Sequence, residues 1–220
     1  MDNTPPNYIN GDEYFQSAVL FTFIKKNNDY YLVLEQRSAN ISQAGEVCFP
    51  GGRFDKDKDK TTRDTAIRET CEELGVKKEE ITNVNYWGTY IAPMSTLIDV
   101  YIGCLQIDDI NTLAINKDEV ERLIVLPYSF FINNPPSSYE IDSWSYPYRK
   151  SKEDKDKILD IFPAKDFGLP SKYHKPWRGK SRQVYLYPND DVPIWGVTAN
   201  IIREFIKQYP LAKQIFSEVE

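Results

Sequence analysis

The chain has 220 residues, 41% of them apolar and 27% charged, with a formal net charge of −6, which is length enough for one domain with a real core. No apolar run approaches the ~20 residues needed to span a bilayer, and the acidic balance sets up no field that recruits nucleic acid. A single histidine excludes a His-rich zinc site, and Cys48, Cys71 and Cys104, odd in number and without CxxC spacing, imply a reduced, intracellular setting.

Residues 1–14 read as a flexible N-terminus. Asp2, Asp12 and Glu13 precede the first basic residue, Lys25, so neither a secretory signal nor an Arg-rich transit peptide is expected. Phe15–Ile24 and Tyr30–Leu34 read as β-strands joined by a turn at Asn27-Asn28-Asp29. A short strand over Glu46–Phe49 ends in Pro50-Gly51-Gly52, where glycines let the backbone approach a phosphate or metal closely. Asp55–Lys60 alternates Asp and Lys. It fails as a calcium loop, since the sixth position is Lys60 and the twelfth Ala66, and it reads as a solvated loop with Asp59 within reach of a metal.

Thr61–Leu74 reads as a helix stopped by Gly75. Val84–Ile91, Leu97–Ile107 and Leu123–Leu126 read as strands. Residues 133–182, rich in Pro, Ser, Tyr and Lys, form an extended insertion with one strand at Ile158–Phe162. Val184–Tyr187 is a further strand, and Ile194–Tyr209 closes the chain as an amphipathic helix with Trp195 and Phe205 in the core. Strands with two principal helices predict an α/β (α+β) fold, a mixed sheet covered by helices.

The chemistry concentrates on the 61–74 helix. At about 100° per residue, Glu69, Glu72 and Glu73 fall within an arc of about 100°, while Ile67, Cys71 and Leu74 lie on the opposite side. Three like charges this close repel unless something neutralises them, and a hard divalent cation with oxygen ligands does so. Arg68, four residues before Glu72, is placed to pair with it. A Ser-His-Asp or Cys-His mechanism would have to use His174, which sits in the polar stretch 172–177. Carboxylates and metal are therefore the expected machinery.

These residues resemble the signature of the Nudix hydrolase family, G-x5-E-x7-R-E-U-x-E-E-x-G-U. Gly52, Arg68, Glu69, Glu72, Glu73, Gly75 and Val76 match. The chain departs in having two extra residues between Gly52 and Arg68, Lys58 or Lys60 where the upstream Glu belongs, and Thr70 at the aliphatic position. Within the family the chain is similar to coenzyme A diphosphatases. Arg37-Ser38, Ile41, Gly45-Glu46-Val47, Phe49 and Pro50-Gly51-Gly52 match that subgroup's upstream motif, and Asp59 with Thr65-Ala66-Ile67-Arg68-Glu69 matches its spacing. Asp118-Glu119-Val120 and the stretches 126–131 and 194–199 look like its downstream pattern.

The resemblance implies one Nudix domain over 15–220 that hydrolyses a diphosphate with Mg²⁺ or Mn²⁺. It implies Glu69 as general base or metal ligand, Glu72 and Glu73 as ligands, the Gly51 carbonyl as a further ligand, and Arg68 orienting the glutamates. Arg37, Ser38, Gly52 and Arg53 are implied at the substrate. The subgroup implies coenzyme A or acyl-coenzyme A as substrate, giving 3′,5′-ADP and (acyl-)4′-phosphopantetheine. The cluster Lys172, Lys175, Trp177, Arg178, Lys180, Arg182 is a candidate for holding its 3′-phosphate or adenine. Other readings are an oxidised nucleoside triphosphate, NADH or ADP-ribose as substrate, or a Nudix-fold binding module without turnover. Neither nucleic acid nor membrane is an expected partner, and monomer and homodimer both remain open. Location is cytoplasmic by default, with peroxisome or mitochondrion by family analogy; the end at Ser217-Glu218-Val219-Glu220 is not a peroxisomal tripeptide.

Overall fold

The longest strand, β1 (Phe15–Lys26), is apolar on both sides, and that property organises the sheet. Leu20 and Ile24 point to one face, Phe21 and Phe23 to the other, and none exposes more than 7% of its surface. A strand buried on both faces needs helices above and below it. The computed structural model describes residues 7–27, 29–93, 95–154 and 156–211. The N-terminal residues 1–6, Asn28 of the first turn and the final tetrapeptide lie outside the described residues. Residues 7–14 carry one 3₁₀ turn, Gly11–Glu13.

β2 (Asp29–Arg37) pairs antiparallel with β1, and β3 (Val47–Cys48) with β2. β4 (Gly51–Arg53) runs antiparallel to the start of β1, putting Gly51 opposite Val19 and Gly52 opposite Ala18. Helix α1 (Thr62–Leu74) begins one residue later than the sequence suggests, because Thr61 is its cap. The Thr61 hydroxyl accepts from the Asp64 N–H, and Asp64 accepts from the Thr61 N–H at 2.9 Å. Gly75 ends the helix at φ +69°, where an added Cβ would lie 2.4 Å from the Ala114 carbonyl oxygen.

β5 (Ile81–Ala92) and β6 (Thr96–Leu105) form an antiparallel pair, and β6 runs parallel to β1. β7 (Val120–Pro127) pairs with β2 and leads into the short helix α2 (Tyr128–Asn133). The result is a seven-stranded mixed sheet, as expected. One face packs Ala18, Leu20, Val33 and Tyr101 against Ala66, Ile67 and Leu74 of α1. The other packs Phe21, Phe23, Leu32 and Leu34 against Tyr128 and Phe131 of α2 and against the last helix.

The chain divides into two compact units, one of them Ser138–Val184. From Ser137 onward that stretch carries the short strands β8 (Ser137–Ile141), β9 (Trp144–Ser145), β10 (Tyr148–Lys150), β11 (Ile158–Ile161) and β12 (Trp177–Arg178). β10 pairs with β11 and β9 with β12. Of these, the sequence shows only the strand at Ile158; the others are too short and too exposed to carry a periodic pattern. β13 (Arg182–Tyr187) pairs with β14 (Ile194–Trp195), which feeds α3 (Gly196–Gln208).

Trp195 is therefore not a core residue of the last helix. It caps the helix from β14 and is 44% exposed, while its neighbour Ile194 is fully buried, as strand alternation requires. Phe205 is fully buried, stacked on Phe21 at 4.3 Å and edge-on to Trp87 at 5.1 Å. Burial of one such ring contributes about 2–3 kcal/mol.

Candidate active site

The 61–74 helix does not separate a wet acidic face from a dry apolar one. Its three glutamates descend from solvent to core: the Glu72 side chain is 51% exposed, Glu69 16%, and Glu73 as a residue only 3%. Glu73 is covered because α1 packs on β1 and β4, bringing the strand end after Pro50 over it. The Gly51 N–H donates to Glu73 Oε2 at 2.8 Å. So Gly51 touches the site through its amide. Gly52 touches it by lacking a side chain: a Cβ there would lie 2.4 Å from Glu69 Oε1.

Arg68 ties the cluster together. Its Nε and Nη2 grip both oxygens of Asp59 at 2.9 Å, and its Nη1 reaches Glu69 Oε1 at 2.9 Å and Glu72 Oε2 at 3.1 Å. The expected pairing with Glu72 is present, and the orienting role extends to Glu69. Asp59 corrects the reading of 55–60 as a solvated loop. Lys56, Asp57, Lys58 and Lys60 are exposed, but Asp59 is buried, accepting also from the Thr65 hydroxyl at 2.8 Å. The Lys58 and Asp59 N–H groups both donate to the Asp55 carbonyl, and the Asp59 carboxylate faces Arg68 with both of its oxygens engaged there. Thr70 is also satisfied: buried, it donates to the Ala66 carbonyl at 2.7 Å.

The Arg68 guanidinium holds the Asp59 carboxyl well below its usual range, at about 2. Its folded value lies below its unfolded one, so its stabilisation is present above pH ~4 and is lost as pH falls through 2. Asp59→Asn is expected to cost about 1–2 kcal/mol at pH 7, allowing for solvent near the pair, and to flatten the acid limb of the stability profile. Urea unfolding at pH 7 and pH 2.5 checks this; equal losses at both would refute it.

Burial pushes the Glu69 carboxyl up, against the pull of Arg68. It pushes Glu73 much further, helped by the charge of Glu35 and opposed by the Gly51 N–H. Glu35, on β2, is a member of the cluster that the sequence reading missed; no motif marks it. The only signal is an acid that directly follows the apolar run Tyr30–Leu34 within β2. Its residue exposure is 1%.

The remaining candidates lie apart in role. Ser38 is buried, and its hydroxyl donates to the Asp118 carbonyl at 2.6 Å while its N–H donates to the Glu119 carbonyl. It clamps the end of β2 to the loop before β7. Arg37 is half-buried, with Nε on the Ser42 carbonyl at 3.0 Å. Arg53 is exposed over the Phe15 ring. It lines a cleft of about 510 Å³ with Phe54, residues 55–58, Arg68 and Glu69. The cleft thus carries four cations, Arg53, Lys56, Lys58 and Arg68, against three carboxylates, Asp55, Asp57 and Glu69.

In the 138–184 unit, Arg178 is held by Asp142 and donates to the Ser181 hydroxyl at 2.9 Å, while Lys172 lies over the Tyr173 ring. His174 is exposed, its Nε2 at 3.0 Å from the Leu169 carbonyl oxygen.

Among the described residues no three acidic, histidine or cysteine side chains form a preassembled metal cage. The donors nonetheless fit a hard cation: they are all oxygen, they repel one another, and one buried carboxylate oxygen, Glu35 Oε2, has no partner among the described residues.

A sheet covered on both faces, with an Arg-Glu-x-x-Glu-Glu helix packed under a glycine turn, defines a class, and the comparisons agree. The family model described as the NUDIX domain matches residues 15–144. The chain belongs to the Nudix family.

It is 31% identical over 152 residues to the peroxisomal coenzyme A diphosphatase NUDT7 of Mus musculus, covering 68% of this chain and 59% of that protein. It is 34% identical over 116 residues to Nudix hydrolase 3 of Caenorhabditis elegans, covering 50% and 46%. It is 28% identical over 205 residues to the uncharacterized Nudix hydrolase NudL of Photorhabdus laumondii, covering 93% and 90%. The chain thus spans only about half to three fifths of the first two relatives' length. No helix among the described residues is long and apolar enough to cross a membrane.

Proposed function

We propose that this chain is a metal-dependent diphosphatase whose substrate is coenzyme A or an acyl derivative, cut to 3′,5′-ADP and (acyl-)4′-phosphopantetheine. The observation that carries the hydrolytic reading is Glu73, buried yet held by one backbone N–H beside the half-buried Glu69. The substrate reading is supported by the Arg37–Gly52 segment and by the relative whose name is a coenzyme A diphosphatase. A single domain over 15–220, interrupted by an insertion at 133–182, is part of the same reading.

When bound, Mg²⁺ or Mn²⁺ supplies charge neutralisation at the diphosphate and a bound water acidic enough to attack near neutral pH. Glu72 and Glu73 offer oxygens to it, and the carbonyl of Gly51 is a further candidate. Glu69 takes the proton of the attacking water. Burial makes it a better base than a solvated carboxylate, and Arg68 fixes its orientation through Oε1. Asp59 keeps Arg68 from swinging toward the substrate. Arg53 and Arg37 supply guanidinium groups suited to phosphate. Asp118 and Glu119 lie on the loop clamped by Ser38, so Ser38 acts on the site's shape and not on the substrate.

A panel of coenzyme A, acetyl-coenzyme A, NADH, ADP-ribose and an oxidised nucleoside triphosphate, each with Mg²⁺ and Mn²⁺ and products identified by mass, tests the reading. Release of 3′,5′-ADP from coenzyme A is the expected result. Nucleoside monophosphate from the triphosphate, with coenzyme A intact, would replace the substrate. No metal-dependent turnover of any member would leave a binding module. An odd number of cysteines without CxxC spacing supports an intracellular setting as part of this reading.

A further inference from the structure

Glu35 sits where a strand should carry a hydrophobic residue. On β2, Val33 points to the face covered by α1, so Glu35, two residues on, points there too. It is opposite Cys48 of β3 on one side and Leu123 of β7 on the other, next to the chain that turns at Pro50-Gly51. Among the described residues its Oε1 accepts only the Cys48 thiol, a weak donor, at 3.4 Å. Its Oε2 is buried with no partner among the described residues.

An orphaned carboxylate oxygen in a folded core is costly, and a cation bound there would satisfy it. The charge of Glu35 acts on Glu73, and those of Glu69 and Glu119 act on Glu35, so all four share one region.

We propose that Glu35 is an additional oxygen donor for a hard divalent cation, extending the donor set of Glu72 and Glu73 from the helix into the sheet. This rests on the metal-dependent reading above. The centre then has a floor as well as a wall. A cation there would be held from two elements, β2 and α1, that both pack on β1. Glu35 serves the substrate only through that cation.

The test is a Mn²⁺ titration without substrate, followed by the electron paramagnetic resonance of free Mn²⁺ and by calorimetry, on the full chain and on Glu35→Gln and Glu73→Gln. Far-UV circular dichroism in EDTA establishes that each is folded. Glu35→Gln is expected to weaken Mn²⁺ binding about ten- to a hundredfold, or to lose one bound Mn²⁺. Wild-type affinity and stoichiometry in Glu35→Gln, with loss in Glu73→Gln, would overturn the role of Glu35 and leave the helix site standing. No Mn²⁺ binding by the wild-type chain would overturn both. Should Glu35→Gln fail to fold, Glu35→Asp keeps the charge and withdraws it by about one bond length; unchanged Mn²⁺ affinity there would equally overturn the proposal.

Discussion

Glu73→Gln is expected to lose about a thousandfold or more in turnover while gaining stability in the metal-free state. On the proposed metal-dependent reading, the first effect follows because several kcal/mol of charge neutralisation in the transition state would pass through this carboxylate, and each 1.4 kcal/mol is a factor of ten. The second follows from burial. Glu73 has its folded pKa raised far above the ordinary 4.5. In the window between the unfolded and folded values the folded chain binds a proton that the unfolded chain has released. Stability of the metal-free protein therefore falls as pH rises through that window.

Gln removes this loss and keeps an oxygen to accept from the Gly51 N–H. In EDTA, the variant should match wild type near pH 4.5 and exceed it near pH 8.5, as read by thermal unfolding. Glu69→Gln should lose activity similarly with a smaller stability change, because Glu69 is less buried and already paired with Arg68. Near-normal turnover in both variants would refute the assignment.

Adjacent glycines should fail in different ways. Gly51 has φ +154°, and a Cβ there would sit 2.3 Å from the Ala18 carbonyl oxygen and 2.7 Å from Val19 Cα. Both obstacles are backbone of the central strand, so nothing can yield cheaply. Gly51→Ala is expected to destabilise the chain by about 3 kcal/mol or more, adding backbone strain to overpacking, and to be recovered poorly folded. At Gly52 a Cβ would meet only the end of the Glu69 side chain, at 2.4 Å, with no positive φ. That side chain can swing aside. Gly52→Ala should fold with near wild-type stability and lose activity, because Glu69 is displaced from Arg68. Equal unfolding midpoints for the two variants would contradict this account.

The sequence alone determined the mixed sheet, the α1 helix with its stop at Gly75 and the trio Glu69, Glu72 and Glu73. All of these rest on local periodicity or short spacing, which the chain carries without tertiary help. It left three things to the fold. The depth of each glutamate depends on β4 lying over α1, so one arc on a helical wheel holds both an exposed Glu72 and a buried Glu73. Asp59 looked like one charge among many in an Asp/Lys loop, and only its contact with Arg68, nine residues away, distinguishes it. Glu35 is 34 residues from Glu69 and carries no motif. Its place in the cluster comes from strand pairing and side-chain alternation, which are properties of the sheet and not of any stretch of sequence. The net charge of −6 and the single histidine fixed what kind of chemistry to expect; packing decided which acids are buried closely enough to repel one another.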